Sequence, residues 1–127
     1  MNTSILLAED NDVVREVLRE LLEQAGYTVS VCGTGTAALD LLSSGSVDLL
    51  IADLLMPEMD GIELIRRLHL LRPALRVIAI SGDLNSRFQQ SAALLGVKAM
   101  LQKPFSSDEL FFTIQSVLGD QASFPER

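Results

Sequence analysis

Cysteine is nearly missing from this chain. Cys32 is the single thiol, so no internal disulfide can form and no cysteine pair stands at metal-ligand spacing; its expected place is as a small core side chain on a strand. An excess of basic residues is missing too. The formal net charge is −7, and phosphate contacts need clustered Lys and Arg, so this stretch is a poor nucleic-acid binder by bulk electrostatics. That says nothing of a separate DNA-binding domain elsewhere in a longer parent protein. Long apolar runs are also absent. Nothing approaches the length of a membrane span, and the first apolar run, at residues 4–8, is too short for a signal-peptide core and has no basic residue before it. The expected setting is therefore cytoplasmic, without membrane contact.

What is present amounts to one globular domain. A length of 127 residues is enough for one core and too short for two. A hydrophobic fraction of 48%, with both signs of charge spread along the chain, separates it from disordered sequences. No internal repeat or low-complexity linker interrupts it. The expected division is a domain over 1–119 and a polar, frayed tail over 120–127.

Short apolar runs alternate with amphipathic stretches. Strands are expected at 5–8 (β1), 28–32 (β2), 49–52 (β3), 76–80 (β4) and 98–101 (β5), and helices at 12–25 (α1), 35–42 (α2), 61–71 (α3), 86–95 (α4) and 106–118 (α5). In α1 the apolar residues Val13, Val14, Val17, Leu18, Leu21 and Leu22 fall at helical spacing, and Gly26 suits the stop. Pro73 ends α3. Ser106 and Glu109 stand at capping-box spacing. Repeated strand-then-helix units imply a parallel sheet with helices on both faces, and the nearly all-apolar β1, β3 and β4 fit strands covered on both sides.

The chemistry gathers just after the strands. Glu9 and Asp10 follow β1, Asp53 follows β3, Ser81 and Gly82 follow β4, and Lys103 and Pro104 follow β5. In a parallel sheet all of these lie on one edge, where open α/β folds place their ligands. Two carboxylates about 4 Å apart repel by roughly 4 kcal/mol at an effective dielectric near 20, so three need a cation beside them. Lys103 supplies one charge; a hard divalent ion such as Mg²⁺ supplies more. The expected ligands are Asp10, Asp53 and the backbone carbonyl of Leu55, with Glu9 acting through a water. With the metal present Asp53 becomes a plausible nucleophile for phosphoryl transfer. Lys103 would neutralise phosphoryl oxygens, the Ser81 hydroxyl could bond another, and Gly82 leaves room for the approach.

Together, Glu9-Asp10, Asp53-Leu54-Leu55-Met56-Pro57-Glu58-Met59-Asp60-Gly61, Ser81-Gly82 and Lys103-Pro104-Phe105 resemble the receiver domains of two-component response regulators, over nearly the whole chain. The resemblance implies a flavodoxin-like (βα)5 doubly wound α/β sandwich with strand order 2-1-3-4-5. It implies that Asp53 takes a phosphoryl group from a phosphohistidine on a histidine kinase or phosphotransfer protein. Asp10 and Asp53 would hold Mg²⁺, Ser81 and Lys103 would contact the phosphoryl group, and the Lys103–Pro104 bond would be cis. Such a domain is a signalling phosphoacceptor rather than an enzyme acting on others. It promotes its own phosphorylation and reports it by a conformational change, commonly through an α4-β5-α5 face that meets an effector or a second copy.

Two positions depart from the family pattern. Met100 stands where the family has a Tyr or Phe that swings inward with the hydroxyl residue, so Ser81 and Met100 are expected to form a weakened or altered switch. Leu55 puts an apolar neighbour beside the phosphoryl group, and Asp83 is the residue that could orient water instead, so slow to moderate autodephosphorylation is expected. In α5, Leu110, Phe111, Ile114, Val117 and Leu118 share one arc and Phe112 projects to the other side, a candidate partner contact. His69 is expected on the surface or flank of α3; Arg66, Arg67 and Arg72 read as a solvated helix face. Asp60-Gly61 reads as a turn and helix start.

Three other functions compete. A flavodoxin-like nucleotide binder would want a Gly- or Ser/Thr-rich loop after β1, where Glu9-Asp10-Asn11-Asp12 stands. A phosphatase of the haloacid dehalogenase kind would need a second Asp where Leu55 stands. A degenerate receiver, acting only as an interaction module, is opposed by the complete set Asp10, Asp53, Ser81 and Lys103.

Overall fold

The computed structural model describes residues 2–56, 59, 61–82 and 86–119, with the backbone alone at 86–89. Its elements alternate without exception: β1 Ser4–Ala8, α1 Asp12–Gln24, β2 Thr28–Cys32, α2 Gly35–Ser44, β3 Leu49–Asp53, α3 Gly61–Leu71, β4 Arg76–Ser81, α4 Ser86–Leu94, β5 Ala99–Gln102 and α5 Ser107–Gly119. The five strands form one parallel sheet in the order β2-β1-β3-β4-β5. This is the flavodoxin-like arrangement expected from the sequence. Pro57, Glu58, Asp60, Asp83 and the 120–127 tail lie outside the described residues.

The strand sequences explain the layering. Successive strand side chains point to opposite faces, so β1, β3 and β4 each feed two cores. Leu6, Ala8, Leu50, Ala52, Val77 and Ala79 pack with Leu64, Ile65 and Leu68 of α3 and with Ala38 and Leu42 of α2. On the other face Ile5, Leu7, Leu49, Ile51, Ile78 and Ile80 pack with Leu18 and Leu22 of α1 and with Leu110, Ile114 and Val117 of α5. Each fully buried aliphatic side chain contributes about 1.5–3 kcal/mol, which makes the three central strands the rigid frame. Edge strand β2 leaves Thr28 and Ser30 exposed, the alternation its sequence carries.

Capping sets the helix starts. Asn11 Oδ1 accepts the Val14 amide at 2.9 Å and Thr34 Oγ1 accepts the Ala37 amide at 3.1 Å. The capping box of α5 forms as expected: Ser106 N–H donates to Glu109 Oε1 at 2.9 Å, and Glu109 N–H donates to Ser106 Oγ at 3.0 Å. Gly26 and Gly96 adopt positive φ, 101° and 86°, where the chain leaves α1 and α4.

Two boundaries differ in a way that matters for function. β3 and β4 each run one residue further than expected, to Asp53 and Ser81, because those residues remain in register with Ile80 and Gln102 on the neighbouring strands. Asp53 and Ser81 therefore sit on the frame itself rather than on the loops beyond it. Arg72 also departs from a solvated face: its Nη2 donates to the Leu42 and Gly45 carbonyls, tying the end of α3 to the end of α2. Arg66 and Arg67 both pair with Glu63.

Candidate functional site

Glu9, Asp53, Ser81 and Lys103 meet at the carboxyl edge of the sheet, at the boundary between β1 and β3 where the strand order reverses. Asp53 is 5% exposed, Glu9 is 1% exposed, and Ser81 is fully buried; Asp10 faces solvent. Glu9 continues the β1 ladder by donating its N–H to the Cys32 carbonyl at 3.0 Å. Its own carbonyl accepts Arg15 Nη1 at 2.9 Å, which fixes the turn into α1.

Lys103 ties the site together. Its Nζ donates to Asp53 Oδ2 at 2.8 Å and to Glu9 Oε1 at 2.9 Å. The Lys103 N–H donates to the Ser81 carbonyl at 2.8 Å, so the lysine and the serine share one backbone bond. The Lys103–Pro104 peptide is cis, as the resemblance implied. The remaining carboxylate oxygens also have donors: Asp53 Oδ1 accepts the Leu55 N–H at 2.9 Å, and Glu9 Oε2 accepts the Asn11 N–H at 3.1 Å.

The charges do not balance. Burial pushes the Glu9 carboxyl above its usual range and the nearby Asp53 charge adds to this, against the bonds from Lys103 and the Asn11 amide. Burial opposes the Lys103 charge, but the bonds to Asp53 and Glu9 outweigh it and raise the ammonium above the ordinary lysine value. Lys103 is thus a permanent cation facing two buried acids, with Asp10 beside them. Carboxylate oxygens of Glu9, Asp10 and Asp53 come within 4.8 Å of one another, an all-oxygen donor set suited to a hard divalent cation.

Gly61 starts α3, as the sequence indicates, and it also bears on the site. A Cβ on Gly61 would lie 2.5 Å from the Asp53 carbonyl oxygen and 2.5 Å from Leu54 Cα. Only glycine lets α3 start against the end of β3, and the Gly61 N–H donates to the Leu54 carbonyl at 2.9 Å there. A glycine at the first position of a helix, just after the acidic strand end, is the signal that could have shown this. The direct Glu9–Lys103 pair also went unforeseen, since spacing in sequence does not reveal which carboxylate a distant lysine reaches.

Leu55 stays at the cluster through its N–H on Asp53 Oδ1, although the residue is 53% exposed. The remaining candidates are not part of the acid–lysine cluster. Met100 is half-buried and packs against the core beneath α2 and α3. Phe112 is 72% exposed while Phe111 packs inward. His69 is exposed on α3. Cys32 is a buried free thiol, pushed up to about 11 chiefly by burial. Beside Lys103 runs an apolar groove of about 530 Å³ lined by Val13, Val17, Leu21, Pro104 and Phe105. Val13 and Val17 are 72% and 51% exposed.

Comparison with known proteins agrees with this geometry. Residues 5–115 match the family described as the response regulator receiver domain. The chain is 37% identical over 114 residues to the response regulator receiver protein CpdR of Brucella abortus, covering 90% of this chain and 95% of that one. It is 34% identical over 122 residues to the sensor kinase CckA of the same organism, covering 94% of this chain but 13% of the kinase. It also spans 51% of the response regulator MprA of Mycobacterium tuberculosis. In structure it superposes on the signal receiver domain of an HD domain-containing protein from Pseudomonas fluorescens with a TM-score of 0.91 and 32% identity, covering 98% and 100% of the two chains.

Proposed function

The chain belongs to the response regulator receiver domains, and on that premise we propose that Asp53 is its phosphoacceptor, charged from a phosphohistidine on a histidine kinase or phosphotransfer protein. The observation that carries this reading is the pairing of Asp53 Oδ2 with Lys103 Nζ at 2.8 Å in a buried acidic cluster at the end of β3.

The step balances simply. An Asp53 carboxylate oxygen attacks phosphorus, the P–O bond forms as the P–N bond breaks, and the electron pair returns to the donor imidazole, which takes up a proton. Asp53 is fixed for this by its place in the β3 ladder and by the Leu55 N–H on Oδ1, and such positioning is most of what phosphoryl transfer asks of a protein. Lys103 needs no proton exchange to act: it is already an ammonium, and moving from the carboxylate toward the incoming phosphoryl oxygens keeps it paired. Ser81 ends β4 beside Lys103, and its hydroxyl would bond a phosphoryl oxygen.

The oxygens of Glu9, Asp10 and Asp53 suit a hard divalent cation such as Mg²⁺; Asp10 and Asp53 would be its ligands, the Leu55 carbonyl a third, and Glu9 would act through a water. Bound there, the ion would neutralise the excess negative charge and polarise the phosphoryl group. The exposed Val13 and Val17 beside Lys103 offer an apolar landing surface next to the nucleophile, consistent with docking of a helical donor. Signalling would pass through Ser81 and the half-buried Met100, with Phe112 on the α4-β5-α5 face as a contact for an effector or a second copy.

Acetyl phosphate with Mg²⁺, followed by intact mass, tests the assignment. One phosphoryl adduct is expected on the wild type and none on Asp53→Asn. An equal adduct on both, or none on either, would overturn it.

A further inference from the structure

The opposite edge of the sheet holds a second concentration of charge that phosphoryl transfer leaves unused. A cavity of about 420 Å³ opens between the end of α3, the start of β4 and the turn into β5, and it is lined by His69, Arg72, Arg76 and Lys98 together with apolar side chains such as Leu68 and Leu95. A cavity of this size, with basic side chains converging beside apolar ones, has the usual dimensions of a small-molecule site.

The cations here differ from those elsewhere. Arg15 pairs with Asp12, Arg19 with Glu16 and Glu23, Arg66 and Arg67 with Glu63, and Lys103 with Glu9 and Asp53. Arg72 is held by two backbone carbonyls. Among the described residues Arg76 and Lys98 make no ion pair, and both line the cavity. A guanidinium presents its donors in a planar fork that matches phosphate.

We propose that this cavity binds a small phosphate-bearing organic anion of about nucleotide size, its phosphate on Arg76 and Lys98 and its organic part against the apolar lining. The site is separate from Asp53. Arg76 opens β4 and Ser81 closes it, a span of about 16 Å at the usual rise per strand residue. His69 borders the cavity from α3, where its Nδ1 would lie 3.7 Å from a Cβ built on Gly96, so the imidazole closes the side toward the β5 turn.

Amide NMR of the full chain in EDTA, titrated separately with ADP and with inorganic pyrophosphate, tests the proposal; without divalent metal the acidic edge repels both probes. Saturable shifts are expected across 68–77 and 95–98, with ADP binding more tightly than pyrophosphate. Lys98→Gln and Arg76→Gln should each weaken ADP about tenfold, the loss of one charge-assisted bond, while Arg66→Gln, whose cation is already paired, leaves it unchanged. Lys98 is exposed, so its variant keeps the test sound if Arg76→Gln fails to fold. No saturable shift with either probe, or affinity that survives Lys98→Gln, overturns the site. Equal affinity for the two probes overturns the role given to the apolar lining.

Discussion

The two edges of the sheet carry opposite imbalances of charge. At the carboxyl edge one lysine faces Glu9, Asp10 and Asp53. At the amino edge Arg72, Arg76 and Lys98 border one cavity, and the nearby Asp48 spends a carboxylate oxygen on the Ser4 amide. The acids are nearly sealed into the frame, Glu9 and Asp53 at 1% and 5% exposure, whereas Lys98 is exposed and Arg72 and Arg76 are half-buried. Screening by solvent weakens repulsion at the amino edge and scarcely touches it at the other. The carboxyl edge therefore holds strain that a cation relieves, and the amino edge holds valences that an anion fills.

Substitutions that disturb the frame under the acids should have the largest effects. Gly61→Ala forces a methyl into the Asp53 and Leu54 backbone, and a loss of about 3 kcal/mol is expected, near the top of the range for overpacking. Urea unfolding measures it, and a midpoint equal to wild type would show that α3 moves away from β3 without penalty. Lys103→Met in metal-free buffer removes the one cation between two buried carboxylates. Breaking a buried pair costs about 3–5 kcal/mol, which the 27% exposure of the Lys103 side chain discounts to about 2 kcal/mol. Neutralising Lys98 at the amino edge should change stability by less than about 0.5 kcal/mol. Equal losses at the two edges would erase the distinction drawn between them.

Asp53→Asn should act in the opposite direction. It removes a charge from the crowded edge while Lys103 keeps Glu9, so the variant is expected to be about 1 kcal/mol more stable than wild type in EDTA, the scale of a partly screened like-charge contact. Mg²⁺ should then raise the wild type by about 2.7 kcal/mol at a hundredfold excess over its dissociation constant and the variant much less. A thermal shift with Mg²⁺ equal in both proteins would mean that Asp53 is no ligand.

The sequence made the carboxyl edge easy to read and the amino edge hard. Asp53, Ser81 and Lys103 close or follow strands, and strand ends in a parallel sheet are neighbours by construction, so their order in the chain sufficed to gather them. The alternation in β1, β3 and β4 likewise exposed both cores. Arg72, Arg76 and Lys98 come from a helix end, a strand start and a turn, places whose spacing in sequence carries no periodic signal; only the folded structure shows Arg72 spanning to α2 or Arg76 and Lys98 lining one cavity. Gly61 fell between these cases. Its place at a turn and helix start is plain in the sequence, but the close backbone approach from β3 that requires a glycine there shows only in the fold.

The smallest effect expected is one of slope, and it separates the edges by pH. Glu9 is raised above its reference value of 4.5, first by burial and then by the Asp53 charge, against the bonds from Lys103 and the Asn11 amide. The folded chain therefore holds the Glu9 proton more tightly than the unfolded chain does. The stability this brings is fully present below about pH 4.5, where both states are protonated, and is lost as pH rises through the folded value. Lys103, raised above 10.5, stays charged throughout that window and adds no slope of its own. In EDTA the urea midpoint of the wild type should thus fall with rising pH relative to Glu9→Gln, and the difference should flatten once Glu9 is ionised in both states. Mg²⁺ should reduce the slope by favouring the carboxylate, while Lys98→Gln at the amino edge should leave it as it is. A difference between wild type and Glu9→Gln that is constant across the window would show that Glu9 enters the folded state already ionised at no penalty, and the strain assigned to the carboxyl edge would then have to lie between Asp53 and Asp10.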